Sequence, residues 1–232
     1  MIKRKLAVLA LLLPVGLTAA AWPAAAASTT VLQYVGDEPA GSTVAVDTSG
    51  TVPANNGALH EVAVAGSAYS FNGTSSYIQT PASPTVNPDT SDFSYSVSIN
   101  LPATLVFSHD ISLVRRGSAK FSGAYYKMEM IYNSSTGVMS LVCAFRDQTG
   151  NRGFVSTNAN TLNDGLWHTL TCSKTATSVS LNKGGLKTYT RAATLGNLSS
   201  TQPLNFGAEQ ITATTFWEHF PGQMDNMTLT RG

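Results

Sequence analysis

Apolar and polar residues alternate along much of the chain. The run Phe93–Asn100 alternates strictly for eight residues, and Met139–Phe145 also places every second side chain on one face. A period of two is typical of a β-strand that is buried on one side. Thr177–Asn182 is followed by Lys183-Gly184-Gly185 and then by Leu186–Arg191. This order predicts a hairpin, because glycine supplies the positive φ of a tight turn.

Turn signals separate the apolar runs at short intervals. Asn72-Gly73, Asn163-Asp164-Gly165 and Gly196-Asn197 are examples. Outside the N-terminal segment, no window keeps a helical period for three turns. About a dozen short strands with such spacing predict an all-β fold, a two-sheet antiparallel jelly-roll sandwich. No internal repeat or linker divides the chain, so residues 28–232 are expected to form one domain.

The N-terminal segment differs from the rest in composition. Lys3, Arg4 and Lys5 precede an apolar stretch, Leu6–Ala20, and small residues follow at Ala24–Ala27. This order is typical of a signal peptide, so we expect residues 1–27 to be removed and the protein to be secreted and extracellular. The alternative is a retained membrane anchor, against which the short apolar core and its proline argue. After cleavage no membrane span is expected.

Two cysteines, Cys143 and Cys172, lie in the mature region. An even number in an exported protein indicates one disulfide, and two free thiols or a metal-binding pair are the alternatives. Strand phase places Cys143 on the face of Leu141 and Phe145, and Cys172 on the face of Leu170. Both thiols are therefore expected in the core, where their bond would stabilise the fold by about 3 to 4 kcal/mol.

Charge is sparse and nearly balanced. Charged residues make up 12% of the sequence, with 14 basic and 13 acidic residues. Removal of the N-terminal segment leaves the remainder slightly acidic. No basic run survives that would favour nucleic acid or an acidic membrane surface, so neither is expected as a partner.

Four segments in a fixed order resemble laminin-G-like jelly-roll domains of the concanavalin A-like lectin/glucanase superfamily, in their secreted bacterial form. Asp37–Gly50 resembles the family's opening turn, Tyr69–Ile78 its Phe-Asn/Asp-Gly element, and Leu162–Cys172 its Asp-Gly-x-Trp-His strand. Pro203–Ala208, followed later by Phe220–Leu229, resembles its closing pair of strands. The resemblance implies a lectin-like module that binds a glycan or a surface partner. A structural or adhesion domain that binds protein, and a polysaccharide hydrolase, are the alternatives.

One turn departs from the family pattern. The family often has Val-Asp-Gly where this chain has Asn182-Lys183-Gly184-Gly185, so an acidic side chain is missing. The hairpin is expected to form, but any role of that aspartate does not carry over.

The resemblance also implies one structural calcium ion at the sandwich edge. Asp47, Asn72 and Asp225 are the candidate ligands, and backbone carbonyls and water would complete the six to eight oxygens that calcium prefers. The alternative is that Asp47 and Asn72 only cap turns through their own backbone.

No catalytic residues are predicted. A retaining glycosidase needs two carboxylates about 5 Å apart, which a strand supplies at positions two or four residues apart. The sequence has no such acidic run, and Glu209 and Glu218 are isolated from other acids. We therefore expect the protein not to be an enzyme.

A ligand surface is predicted from strand phase. Alternation in Tyr125–Met130 leaves Tyr125, Lys127 and Glu129 on the face opposite the core. If Ile111 and Leu113 point inward, alternation along their strand places Arg116 on the same outer face as Tyr125 and its neighbours. Aromatic faces and charged hydrogen-bonding groups together bind sugars. The candidate ligand-binding residues are Arg116, Tyr125, Lys127, Glu129 and, from the segment before the last strand, Trp217.

Overall fold

The computed structural model describes residues 27–118, 123–185 and 187–232. The predicted signal peptide, apart from Ala27, lies outside the described residues. Eighteen strands and one short 3-10 helix, Pro84–Val86, make up the regular structure of the described part. The first nine strands are β1 Thr29–Tyr34, β2 Val44–Ala45, β3 Gly57–His60, β4 Ala63–Val64, β5 Tyr69–Asn72, β6 Tyr77–Thr80, β7 Phe93–Asn100, β8 Ile111–Arg116 and β9 Tyr125–Asn133. The second nine are β10 Val138–Arg146, β11 Arg152–Asn158, β12 Trp167–Lys174, β13 Ser178–Lys183, β14 Lys187–Ala192, β15 Leu204–Phe206, β16 Glu209–Gln210, β17 Phe216–Trp217 and β18 Pro221–Arg231.

Sixteen of these strands form two eight-stranded antiparallel sheets, and β16 and β17 form a separate two-stranded sheet. Sheet A has the order β14-β13-β12-β7-β18-β5-β4, and β1 also pairs with β18. Sheet B has the order β11-β10-β9-β8-β15-β6-β3-β2. Non-consecutive neighbours within each sheet mean that the chain crosses repeatedly between the two layers. The all-β jelly-roll sandwich predicted from the alternation is confirmed.

The core lies between the two sheets and follows the period-two pattern. In β7, every second residue from Phe93 to Ile99 is buried, as the alternation predicts. Sheet B contributes a matching inner row, which includes Tyr126, Met128, Met130 and Phe145. Because one face of each sheet is packed against the other, the functional groups of the molecule lie on the outer faces and at the edges.

The predicted disulfide between Cys143 and Cys172 is confirmed. Cys143 is in β10 of sheet B and Cys172 is in β12 of sheet A, so the bond crosses the core and joins the two sheets. Both residues are fully buried. The 29-residue separation makes this a substantial constraint on the unfolded chain.

The predicted hairpin after Asn182 is also confirmed. β13 and β14 pair antiparallel in a register that opposes Lys183 to Lys187. Gly184 and Gly185 have φ values of 71° and 74°, the left-handed region that a tight turn requires.

Candidate functional site

One row of side chains crosses the outer face of sheet B from edge to edge. The pairing register aligns residues from all eight strands: Val44, Ala58, Gln79, Asn205, Arg115, Lys127, Ala144 and Phe154. Amide and charged groups occupy the middle of this row and Phe154 lies at the β11 edge. The outer face of sheet B therefore carries amide, charged and aromatic side chains in one row.

The placement of Arg116 on this face was wrong. The register of β8 against β9 shifts between Ser112 and Val114, so the strand contains an irregularity of the β-bulge kind there. An extra residue at a bulge reverses the phase of the alternation beyond it. Arg115 therefore lies opposite Lys127 on the outer face, whereas Arg116 is fully buried.

Arg116 has a structural role instead. Its Nη2 donates to the carbonyl oxygens of Ser83 at 3.0 Å and Ser200 at 2.6 Å. These hydrogen bonds join the segment before the 3-10 helix to the segment before β15. Because burial of a guanidinium requires such acceptors, Arg116 holds two connections together rather than facing a ligand.

Tyr125, Lys127 and Glu129 lie on the outer face of sheet B, as the alternation predicts. The ring of Tyr125 is 7% exposed and packs with Val142 and Ala144 in a small apolar cluster separate from the main core. Glu129 is also buried. These two side chains form the floor of the surface, and Lys127 remains partly open to solvent.

Arg115 is the centre of a cluster of ion pairs. Its Nη1 lies 2.8 Å from Oε2 of Glu129 and 3.4 Å from Oε2 of Glu218, and its Nη2 lies 2.6 Å from Oε1 of Glu209. Lys127 donates to the other oxygen of Glu129. Glu209 and Glu218, which appear isolated in the sequence, thus share one guanidinium. They come from either side of a hairpin that returns over the sheet.

We call this hairpin, residues 209–217, the capping hairpin. Its strands β16 and β17 pair with Glu209 opposite Trp217. The ring of Phe216 stacks on Tyr77 of sheet B with centroids 3.9 Å apart, and Tyr77 stacks on His60 at 4.3 Å. The indole of Trp217 is 56% exposed. The hairpin therefore covers the β6–β8 part of the outer face and displays one tryptophan to solvent.

Three glutamates lie beside one arginine in this cluster, and their surroundings shift the pKa of Glu218. The pKa of Glu218 is raised from 4.5 to about 7, because burial, together with the negative charges of Glu209 and Glu129, raises it by more than Arg115 lowers it. Ser112 Oγ donates to Glu218 at 2.9 Å, which favours the ionised form. With Glu218 protonated, the charges of the two cations and two remaining carboxylates balance.

This pKa makes stability depend on pH. The folded-state pKa lies above the ordinary value of 4.5, so the folded protein binds the proton more tightly than the unfolded chain. The stabilisation is complete below about pH 4.5 and is lost as the pH rises through about 7. We expect the free energy of unfolding, measured with urea, to fall between pH 5 and pH 8 by less in Glu218→Gln than in the wild type. Equal falls in both proteins would contradict the assignment.

A groove lies beside the capping hairpin, over β9, β10 and β11. It has a volume of about 200 Å³. Its floor is Tyr125, Val142 and Ala144, and its rim includes Lys127 and Phe154. The Phe154 ring is 47% exposed. An open sheet face with an apolar floor and charged rim suits a ligand that has both CH surfaces and hydroxyl groups.

The three predicted calcium ligands are not brought together. Asp47 accepts backbone N–H groups from Gln33 at 3.0 Å and Asn55 at 2.8 Å. Asn72 lies opposite Pro221, so four residues of β18, or about 13 Å, separate that point from Asp225. One ion cannot contact both side chains, and the set of three is wrong as a single site.

Asn72 closes its own turn. Its Oδ1 accepts the backbone N–H groups of Thr74, Ser75 and Ser76 at 2.9 to 3.1 Å. Across the described ranges, no three His, Cys, Asp or Glu residues are grouped to hold a metal ion. Binding of one structural calcium ion stays a prediction, and the melting temperatures in calcium and in chelator would test it.

No helix in the described part of the chain is long and apolar enough to cross a membrane.

The comparisons with known proteins support the fold. The sequence matches no family model and has no significant match among curated proteins. The botulinum neurotoxin serotype D binding domain is similar in structure, with a TM-score of 0.61 and 15% identity over 87% of this chain and 48% of that one. The binding domain of Paraclostridial Mosquitocidal Protein 1 gives 0.60 and 15% over 87% and 48%. The chain thus spans about half the length of these toxin domains.

A third solved structure matches over nearly its whole length. Domain 4 of AbnA, a GH43 extracellular arabinanase from Geobacillus stearothermophilus, was solved in complex with arabinotriose. It gives a TM-score of 0.51 and 14% identity, covering 88% of this chain and 93% of that domain. At such identities the likeness shows a shared β-sandwich fold alone.

Sequence reasoning missed Arg115, Glu209, Glu218 and Phe154. Phe154 alternates with Val155 in a short strand, and the face of that strand is recognisable only once its pairing with Ala144 is known. The two glutamates are nine residues apart in the sequence and meet only because the capping hairpin folds back over sheet B.

Proposed function

We propose that the protein is a secreted, non-catalytic, lectin-like module of the laminin-G/concanavalin A-like type, and that it binds glycan on the outer face of sheet B. The observation that carries this proposal is the groove over β9–β11. It combines the buried ring of Tyr125, the exposed ring of Phe154 and the ammonium group of Lys127. Sugar rings present CH faces to aromatic rings and hydroxyls to charged groups.

The structural neighbours favour a binding role. The arabinanase domain was solved with arabinotriose, and the toxin structures are binding domains. A cell-surface or extracellular glycan is accordingly the proposed partner. A protein partner is the alternative, and a screen against glycans decides between them. Secretion rests on the signal-like segment, and N-terminal sequencing of exported protein should begin near Ser28.

The non-catalytic part of the proposal rests on how the carboxylates are engaged. Glu129 and Glu209 bind Arg115 at 2.8 and 2.6 Å, and Glu218 accepts from Ser112. Carboxylates held in this way stabilise the capping hairpin. We expect no release of reducing sugar from the polysaccharides that the protein binds. Hydrolysis that disappeared in Glu218→Gln and Glu209→Gln would establish the alternative function, that of a polysaccharide hydrolase.

A glycan array on residues 28–232 tests the binding role. For the best ligand, Phe154→Ala should weaken binding by about 1 to 3 kcal/mol, as the loss of an aromatic anchor does. Trp167→Ala is the matched control, because its indole is 47% exposed but lies on sheet A. Equal binding by all variants would refute this placement of the site, and absence of any glycan ligand would refute the function.

A further inference from the structure

Three arginines surround the β11 end of the groove. Arg146 of β10 lies directly opposite Arg152 of β11, and Arg146 is also opposite Tyr125. Arg191 of β14 extends over Phe154, with its guanidinium carbon 4.7 Å from the ring centroid. Arg152 and Arg191 are exposed. The aromatic rim of the groove thus carries three guanidinium groups.

None of the three forms an ion pair with a carboxylate in the described part of the chain, whereas Arg115 and Arg231 both do. The nearest acid in sequence, Asp147, is turned away. Its carboxylate accepts from the backbone N–H groups of Gly196 and Asn151 and closes the turn after β10. These hydrogen bonds lower the pKa of Asp147 to about 2 although burial opposes them, so it stays ionised within its turn.

The arrangement costs stability unless something compensates for it. Like charges directly opposite each other on neighbouring strands repel. The Nε of Arg146 is buried and has no hydrogen-bond partner. A guanidinium fork with free donors fits the paired oxygens of a carboxylate or sulfate group.

The local charge contrasts with that of the mature chain. Without Lys3, Arg4 and Lys5, the 14 basic residues fall to 11 against 13 acidic ones, a formal charge of −2. The surface near Phe154 nevertheless gathers three unpaired positive charges. The Arg115 cluster beside it is balanced by its own glutamates and contributes little to this field.

We propose that the groove binds an anionic polysaccharide, in which sugar rings bearing carboxylate or sulfate groups contact Phe154 while Arg146, Arg152 and Arg191 bind the anions. This inference rests on the proposed function and names the class of its ligand. The ring of Phe154 supplies the contact with the sugar, and the guanidinium groups distinguish charged from neutral chains.

Matched polymers that differ only in charge test the inference. Residues 28–232 are titrated with polygalacturonate and its methyl ester, and with dextran sulfate and dextran. We expect binding to at least one charged polymer and weak or no binding to its neutral form. The first pair tests carboxylate and the second tests sulfate. Binding should weaken as salt concentration rises, because the contacts are ionic.

Arg152→Gln should weaken binding to the charged polymer about tenfold, the effect of losing a hydrogen bond to a charged group. Lys187→Gln is the control, because it removes one equal charge four residues from Arg191 on the same strand. Equal weakening by the two variants would show diffuse attraction and overturn the site. Equal affinity for charged and neutral forms, or binding to neither charged polymer, would overturn the ligand class. In those cases the glycan array, which includes neutral ligands, would still test the proposed function separately.

Discussion

Replacing Arg115 with glutamine should lower the free energy of unfolding by about 3 to 5 kcal/mol, the usual effect of removing one partner from a buried ion pair. The side chain is 8% exposed and contacts Glu129, Glu209 and Glu218. Without the guanidinium, the three glutamates would be left with Lys127 as the cation of the cluster, and their mutual repulsion would increase. We expect urea unfolding of Arg115→Gln to show this loss and the capping hairpin to detach first.

Arg231→Gln is the matched control for Arg115. Its ion pair with Asp89 is 2.7 Å long, but the two side chains are 32% and 39% exposed. Solvent screens such a pair, so its removal should cost about 1 kcal/mol or less. A similar loss in the two variants would contradict the structural role of the Arg115 cluster.

The second large effect concerns the disulfide. Cys143→Ala together with Cys172→Ala should lower the free energy of unfolding by about 3 to 4 kcal/mol, because the unfolded chain then regains the freedom of a long loop. Denaturant unfolding of oxidised wild type and of the double variant measures this difference.

Reduction provides the control for that experiment. With strong reductant present throughout unfolding, the wild type should become nearly as unstable as the variant. In the native state both sulfurs are fully buried, so mild reductant should leave the bond intact. A double variant as stable as the oxidised wild type would show that the bond contributes little.

The sequence allowed prediction of features that depend on local pattern. Strict alternation from Phe93 to Asn100 predicted β7 and its buried face. Gly184 and Gly185 predicted the β13–β14 turn. The phase of Cys143 and Cys172 predicted that both face the core. In each case residues close together in the sequence were sufficient for the prediction.

The candidate site depends on information that local pattern does not contain. Alternation alone placed Arg116 on the outer face, but the bulge between Ser112 and Val114 reverses the phase and brings Arg115 there. A bulge is defined by the pairing with the neighbouring strand, so the sequence of one strand does not show where the phase reverses. The capping hairpin likewise brings Glu209 and Glu218 to Arg115 through long-range contacts.

Chemical-shift mapping would show whether the ligand binds on the outer face of sheet B. Isotopically labelled residues 28–232 would be titrated with the strongest oligosaccharide ligand from the glycan array. We expect the largest shifts on backbone amides of β9, β10 and β11, around Lys127 and Phe154, and little change in β12–β14 of sheet A away from Arg191. Shifts concentrated on sheet A around Trp167, with the β9–β11 groove unchanged, would contradict this placement.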